Sequence, residues 1–224
     1  MKELALSKRL SAAASFVSDG AIVADIGTDH AYIPINLILS GKASYAIASD
    51  VNEGPIAIAK ENIEKYGVSD KVKVRVADGL CGIEEFNPDC IIICGMGGEL
   101  IVNILKASEY VKSSNVKLIL QPMTAVKELR EYLADGFEIE DEKIVYDASK
   151  LYQVICARYD GKKHEYTNAE LEIGKINIAK KEPLFKDLLC QFIKKKNKRL
   201  NGLKEGGYPT DEIEEEIKEL ESML

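Results

Sequence analysis

The sequence predicts a doubly wound α/β domain followed by a smaller helical domain. Short apolar runs alternate with helix-like stretches between residues 21 and 133, and several of these runs are continuously hydrophobic. Such strands are buried on both faces, which is typical of a parallel sheet covered by helices. After residue 160 the composition shifts to Lys, Glu and Leu and strand signals cease. A chain of 224 residues can form one large domain or a medium domain with an appendage.

The first 133 residues contain five predicted strands and four predicted helices. The strands are expected at residues 21–24, 45–49, 72–76, 90–94 and 116–120. The helices are expected at residues 31–39, 55–66, 99–107 and 125–133. Pro55 supports the start of the second helix, because proline is well tolerated in a first helical turn.

Beyond Gly136 the alternation stops. Residues 137–146 and 151–159 resemble strands, and the polar turn at 147–150 leaves no room for a helix between them. We therefore expect an antiparallel hairpin at the edge of the sheet, which brings the number of strands to seven. Nicotinamide-dependent dehydrogenases do not usually share this topology.

The last third of the chain is predicted to be helical. A short helix is expected at residues 168–180, followed by two antiparallel helices packed like a coiled coil. The break between the two long helices is predicted at residues 206–209, and Thr210 with Asp211 opens the last helix. The apolar positions that predict the paired faces are Leu184, Leu188, Phe192, Ile193, Leu200, Leu203, Ile213, Ile217, Leu220 and Leu224. We place the domains at residues 1–160 and 161–224.

Charge and cysteine content limit the function classes. The net charge of −7 argues against sequence-independent binding to nucleic acid or anionic membranes over the whole surface. That charge belongs to residues 1–160, whereas residues 161–224 are neutral and hold five basic residues between 194 and 199. Local, salt-sensitive binding of RNA by this basic run therefore remains compatible with the composition.

Five cysteines, three of them in apolar runs, favour a reducing cytoplasm over a disulfide scaffold. No apolar run reaches the length of a membrane-spanning helix, so we expect no membrane insertion. The presence of only two histidines argues against a metal site, and Cys90 and Cys94 are interpreted as buried apolar side chains. The absence of a G-x-S-x-G motif argues against hydrolase chemistry.

The functional residues are expected where the parallel strands end. Open parallel sheets bind ligands at the carboxyl ends of their strands, where the strand order reverses. The segments that follow the five predicted strands are residues 25–30, 50–52, 78–80, 95–98 and 121–122. All five are expected to lie along one rim of the sheet.

The rim residues indicate a nucleoside cofactor without a diphosphate. Gly27 permits a tight turn, and Asp50 lies at the spacing expected of a carboxylate that binds ribose hydroxyls. The turn lacks the G-x-G-x-x-G glycines that wrap a pyrophosphate, and Asp29 would repel one. S-adenosylmethionine, which carries sulfonium and ammonium groups, suits this site, and Asp78 followed by Gly79 suits the adenine amine.

Several segments together resemble one family. These are LSKRL (6–10), VADIGTDHAYIPI (23–35), SDVNEGPI (49–56), ADGL (77–80), GMGGELI (95–101) and LILQP (118–122). They are similar to the bacterial TrmK family of S-adenosylmethionine-dependent tRNA (adenine-22-N1)-methyltransferases. The resemblance implies a Rossmann-like seven-stranded methyltransferase domain, covers residues 1–160 and extends less distinctively into the helical tail.

The resemblance and the local chemistry together suggest roles for individual residues. Asp29 is the candidate catalytic residue, as a base or an electrostatic partner of the methylated adenine. The candidate cofactor residues are Arg9, Asp25, Gly27, Thr28, His30, Asp50, Val51, Asn52, Asp78, Gly79, Gly95 and Met96. The candidate tRNA contacts are Lys8, Tyr32, Lys194, Lys195, Lys196, Lys198 and Arg199.

Two further functions are compatible with the sequence pattern, and a third is disfavoured. A methyltransferase of the same fold that acts on a small molecule or a protein would not need the basic run, which would then be a solvated helix face. A non-catalytic RNA-binding protein could retain the same fold. A nicotinamide dehydrogenase is disfavoured by the broken glycine pattern. We expect a monomer that needs no obligate protein partner.

Overall fold

A computed structural model describes residues 4–181 and 183–224. The described residues form a seven-stranded sheet in the order β3-β2-β1-β4-β5-β7-β6. The strands are β1 (Ala21–Ile26), β2 (Ala43–Asp50), β3 (Val72–Val76), β4 (Cys90–Met96), β5 (Lys117–Pro122), β6 (Asp135–Asp147) and β7 (Lys150–Lys163). The first five are parallel and the last two are antiparallel. This arrangement confirms the predicted fold class.

Helices cover both faces of the sheet and continue into the tail. The helices are α1 (Lys8–Ser15), α2 (Tyr32–Leu39), α3 (Glu53–Tyr66), α4 (Gly98–Lys106), α5 (Val126–Leu133), α6 (Asn168–Ile173), α7 (Lys175–Lys180), α8 (Phe185–Glu205) and α9 (Asp211–Glu221). Two large apolar cores result, one on each face. Cys90 is buried and Cys94 is half-buried, and burial raises the pKa of both thiols.

The strand order reverses between β1 and β4. From β1 the chain moves outward to β2 and β3, then returns to place β4 on the other side of β1. The two strands pair in parallel, with Asp25 opposite Ile92 and Ile26 opposite Ile93. Their carboxyl ends therefore open a crevice at the position where doubly wound sheets bind ligands.

The β6–β7 hairpin forms the predicted edge of the sheet. Its two turn residues, Ala148 and Ser149, have φ values of 45° and 65°. Two successive left-handed residues match the twist of antiparallel strands in a tight hairpin. Strand β7 extends to Lys163, three residues past the predicted domain boundary. The division into domains at residue 160 stays a prediction.

The tail differs from its prediction at two places. The helix predicted at 168–180 is divided into α6 and α7 by Gly174, which has a φ of 98°. A Cβ atom at Gly174 would lie 2.3 Å from Glu142 Oε2, so this position leaves no room for a side chain. Helices α8 and α9 form the predicted hairpin, in which Ile213, Ile217 and Leu220 are buried. Leu224 was predicted on this face but lies beyond the end of α9 and is exposed.

A buried ion pair connects the tail to the sheet. Arg130 of α5 donates to Glu142 Oε1 of β6 through Nε at 2.8 Å and through Nη2 at 2.6 Å. Arg130 also donates to the carbonyls of Leu171 and Glu172 at the end of α6, and Glu142 Oε2 accepts from the backbone of Ile176 in α7. One pair of charges thus fixes both short tail helices against the hairpin.

None of the helices in the described ranges is both long and apolar enough to span a membrane.

Candidate functional site

The loop after β1 is tied to the end of β2. The amides of Gly27 and Thr28 both donate to the carbonyl of Ser49, at 2.8 and 3.0 Å. Gly27, Asp29 and Ala31 have φ values of 73°, 51° and 57°. An alanine in this conformation is strained, and such strain is common at functional sites. The tight turn expected at Gly27 is therefore present, and the loop is held in one conformation.

Asp25 is the buried acid of this loop. Its carboxylate accepts a 2.7 Å hydrogen bond from the Thr28 hydroxyl. Burial raises the pKa of Asp25 from 3.8 to about 7, the Thr28 hydrogen bond lowers it, and the charge of Asp50 raises it further. Thr28 is also buried, so both predicted cofactor residues lie beneath the surface of the loop. A cationic ligand above Asp25 would stabilise the ionised carboxylate.

Gly27 and Met96 meet at the point where the strand order reverses. A Cβ atom on Gly27 would lie 2.2 Å from Met96 Cε. Met96 ends β4, whose pairing with β5 is irregular between Cys94 and Met96. Gly95, with a φ of 81°, forms the irregularity and is exposed. The structure thus brings the two predicted glycine-containing loops into contact.

Asp50 and its neighbours form the next part of the rim. Asp50 Oδ1 accepts from the backbone amide of Asn52 at 2.9 Å, which holds the carboxylate at the end of β2. Val51 is 58% exposed, an unusual exposure for valine, and offers an apolar surface beside this acid. The geometry suits a ribose with an adjacent base.

The Asp78 segment lies next to Asp50 across the sheet. The amide of Ala77 donates to the carbonyl of Asp50 at 2.9 Å. Asp78 is exposed, and with Gly79 it lines an open groove of about 940 Å³ that also contains Leu100 and Ile104. Asp50, predicted to bind the ribose, and Asp78, predicted to bind the adenine, therefore lie at the carboxyl ends of the adjacent strands β2 and β3.

Arg9 reaches the rim from α1. Its Nη1 atom lies 2.5 Å from Gln121 Oε1, which also accepts from the amide of Gly95 at 3.1 Å. The Arg9 backbone amide donates to Asp147 in the hairpin turn, and its guanidinium lies 5.8 Å from the centre of the Tyr152 ring. The guanidinium is thus held beside the Gly95 loop.

The sequence placed Gln121 on the rim but assigned it no role. Its side chain is fully buried and joins Arg9, Gly95 and the Pro122 carbonyl. A polar residue that directly follows an apolar strand was the available signal. Tyr152 carried no such signal, because it lies within an ordinary strand pattern.

Asp29, His30 and Tyr32 form a partly exposed group at the start of α2. Asp29 Oδ2 lies 3.3 Å from His30 Nε2, and the rings of His30 and Tyr32 are stacked with centroids 5.1 Å apart. His30 Nδ1 is buried without a hydrogen-bond partner in the described part of the chain. The Asp29 carboxylate and the Tyr32 ring are both exposed. Both side chains are therefore accessible to a substrate that approaches the rim from solvent.

The basic residues between 194 and 199 lie in two different environments, because α8 places them on different faces. Lys194, Lys195, Lys198 and Arg199 are exposed. Lys196 was predicted with them as an RNA contact, but the structure contradicts that expectation. Its ammonium is buried between α6 and α9 and donates to Glu172 and Glu216, both at 2.8 Å. Lys196 therefore holds the tail together.

Lys8, the remaining predicted RNA contact, is exposed on α1 and lines a shallow groove with Tyr146 and Asp187. Among residues 4–181 and 183–224 no cluster of three or more His, Cys, Asp or Glu side chains could hold a metal ion.

Comparison with known proteins agrees with this geometry. The family described as "Methyltransferase domain" matches residues 6–155. The tRNA (adenine(22)-N(1))-methyltransferase of Bacillus subtilis is 40% identical over 175 residues, which cover 78% of this chain and 74% of the relative. The chain belongs to the TrmK family.

Solved TrmK-like structures superpose over nearly the whole chain. A Streptococcus pneumoniae protein in complex with S-adenosyl-L-methionine has a TM-score of 0.86 and 35% identity, covering 98% of this chain and all of its own. TrmK of M. capricolum in complex with S-adenosyl-homocysteine has a TM-score of 0.80 and 28% identity, covering 97% and 96%. The likeness includes the helical tail as well as the sheet.

Proposed function

We propose that this protein is a methyltransferase that transfers a methyl group from S-adenosylmethionine to N1 of adenine 22 in tRNA. The structural observation that carries this proposal is the acidic, single-glycine loop where the strand order reverses. Asp25 lies near the end of β1 and Asp50 at the end of the adjacent strand β2, which favours a cationic nucleoside over a dinucleotide. The position of the target adenine rests on the Bacillus subtilis relative.

The residues present fit the cofactor. The space that a Gly27 side chain would fill holds the flexible end of Met96, which a ligand approaching the Gly27 backbone could displace. Asp50 is held at the end of β2. Buried Asp25 would face the positive charge, and Asp78 and Val51 would contact the adenine. Bound S-adenosylmethionine supplies an electrophilic methyl group.

The chain's main contribution to the reaction is alignment. N1 of adenine is a neutral nucleophile, so no base is needed before it attacks the methyl group. Methylation makes the base cationic and its exocyclic amine more acidic. The exposed carboxylate of Asp29 would stabilise that positive charge or accept the proton.

N1 lies on the pairing edge of adenine, so a paired target must leave its helix before it reacts. The stacked rings of His30 and Tyr32 offer a planar surface beside Asp29 for a base turned out in this way. Arg9 is held beside Gly95 and would bind the carboxylate end of the cofactor.

The partner is tRNA, bound by the tail and the rim, and the protein acts as a monomer in the cytoplasm. One chain supplies all the candidate site residues, and five free cysteines suit a reducing compartment.

Labelled S-adenosylmethionine tests the substrate class. The protein is incubated with an unmodified tRNA transcript and, separately, with ribosomal protein L11, since an L11 methyltransferase is also among its relatives. We expect label in the tRNA and none in L11. Label in the protein substrate alone would overturn the proposal.

A further inference from the structure

A cleft of about 700 Å³ separates the methyltransferase domain from the tail. One side is formed by residues 122–128, from the end of β5 into α5, and the other by α8. The side chains that determine its chemistry are Glu128, Glu131, Tyr152, Phe192, Lys195 and Arg199. Its size lies within the range of pockets that bind small molecules, which is roughly 300 to 1,000 Å³.

One wall of the cleft is packed against the Gly95–Gly98 loop of the candidate methyl-transfer site. The amide of Met123 donates to the Met96 carbonyl at 2.8 Å, and the amide of Gly98 donates to the Thr124 carbonyl at 2.9 Å. A Cβ on Gly98 would lie 2.1 Å from the Ala125 carbonyl oxygen, so the two segments are in close contact. A ligand that occupies both places must extend along the surface, as a polynucleotide strand does.

The two walls of the cleft carry opposite charges. Lys195 and Arg199 are one helical turn apart on α8, so they share one face. Glu128 and Glu131 lie on α5. Lys196 also lines the cleft, but Glu172 and Glu216 already neutralise it. Within the cleft, the α8 cations available to a ligand are therefore Lys195 and Arg199.

We propose that this cleft binds nucleotides that flank the target adenine. Lys195 and Arg199 contact the phosphates, and the carboxylates of α5 accept hydrogen bonds from base amino groups. Tyr152 and Phe192 provide aromatic surface between the walls for an unstacked base. The inference rests on the proposed function, because it assumes that the substrate is RNA.

The tail contains a control for this proposal. Lys186 on α8 and Lys218 on α9 are exposed, but they do not line the cleft. The variants K195Q/R199Q and K186Q/K218Q each remove two positive charges from the tail. Binding of unmodified tRNA is measured for both by filter retention at several salt concentrations, and cofactor affinity by calorimetry.

We expect K195Q/R199Q to weaken tRNA binding at least tenfold and to reduce the slope of log affinity against log salt by about 1.5. K186Q/K218Q should change affinity less than threefold, and both variants should bind S-adenosylmethionine normally. Equal weakening by the two variants, or no weakening by either, overturns the inference. Wild-type protein that neither binds nor methylates tRNA would instead refute the proposed function.

A variant that partly fills the cleft shows whether RNA enters it or is only attracted by positive charge at its edge. Gln191 lines the cleft and is exposed, so Q191W partly fills it. Asn201 is exposed on α8 outside the cleft, and N201W is the control. Q191W should raise the KM for tRNA at least fivefold while N201W leaves it unchanged. Normal tRNA binding and KM in Q191W would contradict entry of RNA into the cleft.

Discussion

Met96 lies against Gly27 where the strand order reverses between β1 and β4, because a Cβ atom on Gly27 would lie 2.2 Å from Met96 Cε. The contact joins the two loops that flank the reversal of strand order. Glycine therefore serves two purposes here: it adopts a φ of 73°, and it leaves space for the methionine methyl group. This relationship provides a direct test of the cofactor site.

The variant Gly27→Ala should lose cofactor affinity. The left-handed backbone costs about 1–2 kcal/mol with alanine, and the new methyl group displaces the flexible end of Met96. We expect the affinity for S-adenosylmethionine, measured by calorimetry, to fall at least tenfold.

Gly41→Ala is the matched control for the backbone. Gly41 has the same φ of 73°, but a Cβ there meets no atom within 4 Å. Both variants should lower the melting temperature by a few degrees, roughly 2–4 °C for each kcal/mol lost. The prediction fails if Gly41→Ala weakens cofactor binding as much as Gly27→Ala does.

Asp50→Ala should weaken cofactor binding by about tenfold to a hundredfold, since hydrogen bonds to charged groups contribute about 1.5–3 kcal/mol. Asp50 is fixed by the Asn52 amide at the end of β2, where ribose hydroxyls would bind. Asp70, an exposed acid before β3, provides the control for a lost negative charge. Titration calorimetry that finds equal affinities for the two variants would exclude Asp50 from the site.

Cofactor affinity should rise with pH through about 7 because of Asp25, whose pKa burial raises to about 7. A raised folded-state pKa favours the protonated acid, so this carboxyl stabilises the free protein at low pH, and that stability is lost as pH approaches 7. A cationic ligand favours the ionised form, so binding below pH 7 must release a proton. Affinity should therefore increase between pH 5.5 and 7.5.

The control for this pH dependence is Asp25→Asn, which cannot ionise. Its affinity for S-adenosylmethionine should be lower than that of the wild type at pH 7.5. This affinity should also rise much less between pH 5.5 and 7.5. Calorimetry in buffers of different ionisation enthalpy counts the released protons. A wild-type profile that is flat or falls with pH would contradict the role of Asp25.

Glu142→Ala should destabilise the protein strongly. It leaves the fully buried Arg130 guanidinium without its carboxylate, and breaking a buried pair costs about 3–5 kcal/mol. Lys204→Ala removes the more exposed pair with Glu214 and should cost less than about 1 kcal/mol. Urea unfolding measures both, and similar losses for the two variants would refute the anchoring role of Glu142.

Apolar runs and turn residues were sufficient to predict the sheet. Buried parallel strands such as β4 carry an almost unbroken hydrophobic signal, and the hairpin turn left no space for a helix. The division of the tail at Gly174 was missed because it depends on a tertiary contact with Glu142. Local sequence does not show which distant side chain will occupy a glycine's space.

The rim could be predicted because strand ends in such a sheet share one edge. The sequence could not predict that Lys196 is buried while its basic neighbours are exposed, because all of them are basic residues of one helix. Only the positions of Glu172 and Glu216 on α6 and α9 distinguish the buried lysine from the exposed ones. The position of Gln121 on the rim was predictable, but its contacts were not, since its partners Arg9 and Gly95 lie far away in sequence.

Asp29 can be tested separately from cofactor binding. Its carboxylate is exposed beside the stacked His30 and Tyr32 rings, so Asp29→Asn should lower kcat at least tenfold and leave S-adenosylmethionine affinity unchanged. Single-turnover kinetics with tRNA measures the methyl-transfer step. An unchanged rate would show that Asp29 takes no part in methyl transfer.

The most direct test of the proposed function locates the methyl group within the RNA. An unmodified tRNA transcript with adenine at position 22 is incubated with the protein and labelled S-adenosylmethionine, digested and analysed as nucleosides, alongside the same transcript carrying guanine at that position. We predict N1-methyladenosine in the first transcript, a primer-extension stop at position 22, and no product in the second. Equal methylation of both transcripts, or label in any nucleoside other than N1-methyladenosine, would contradict the proposal.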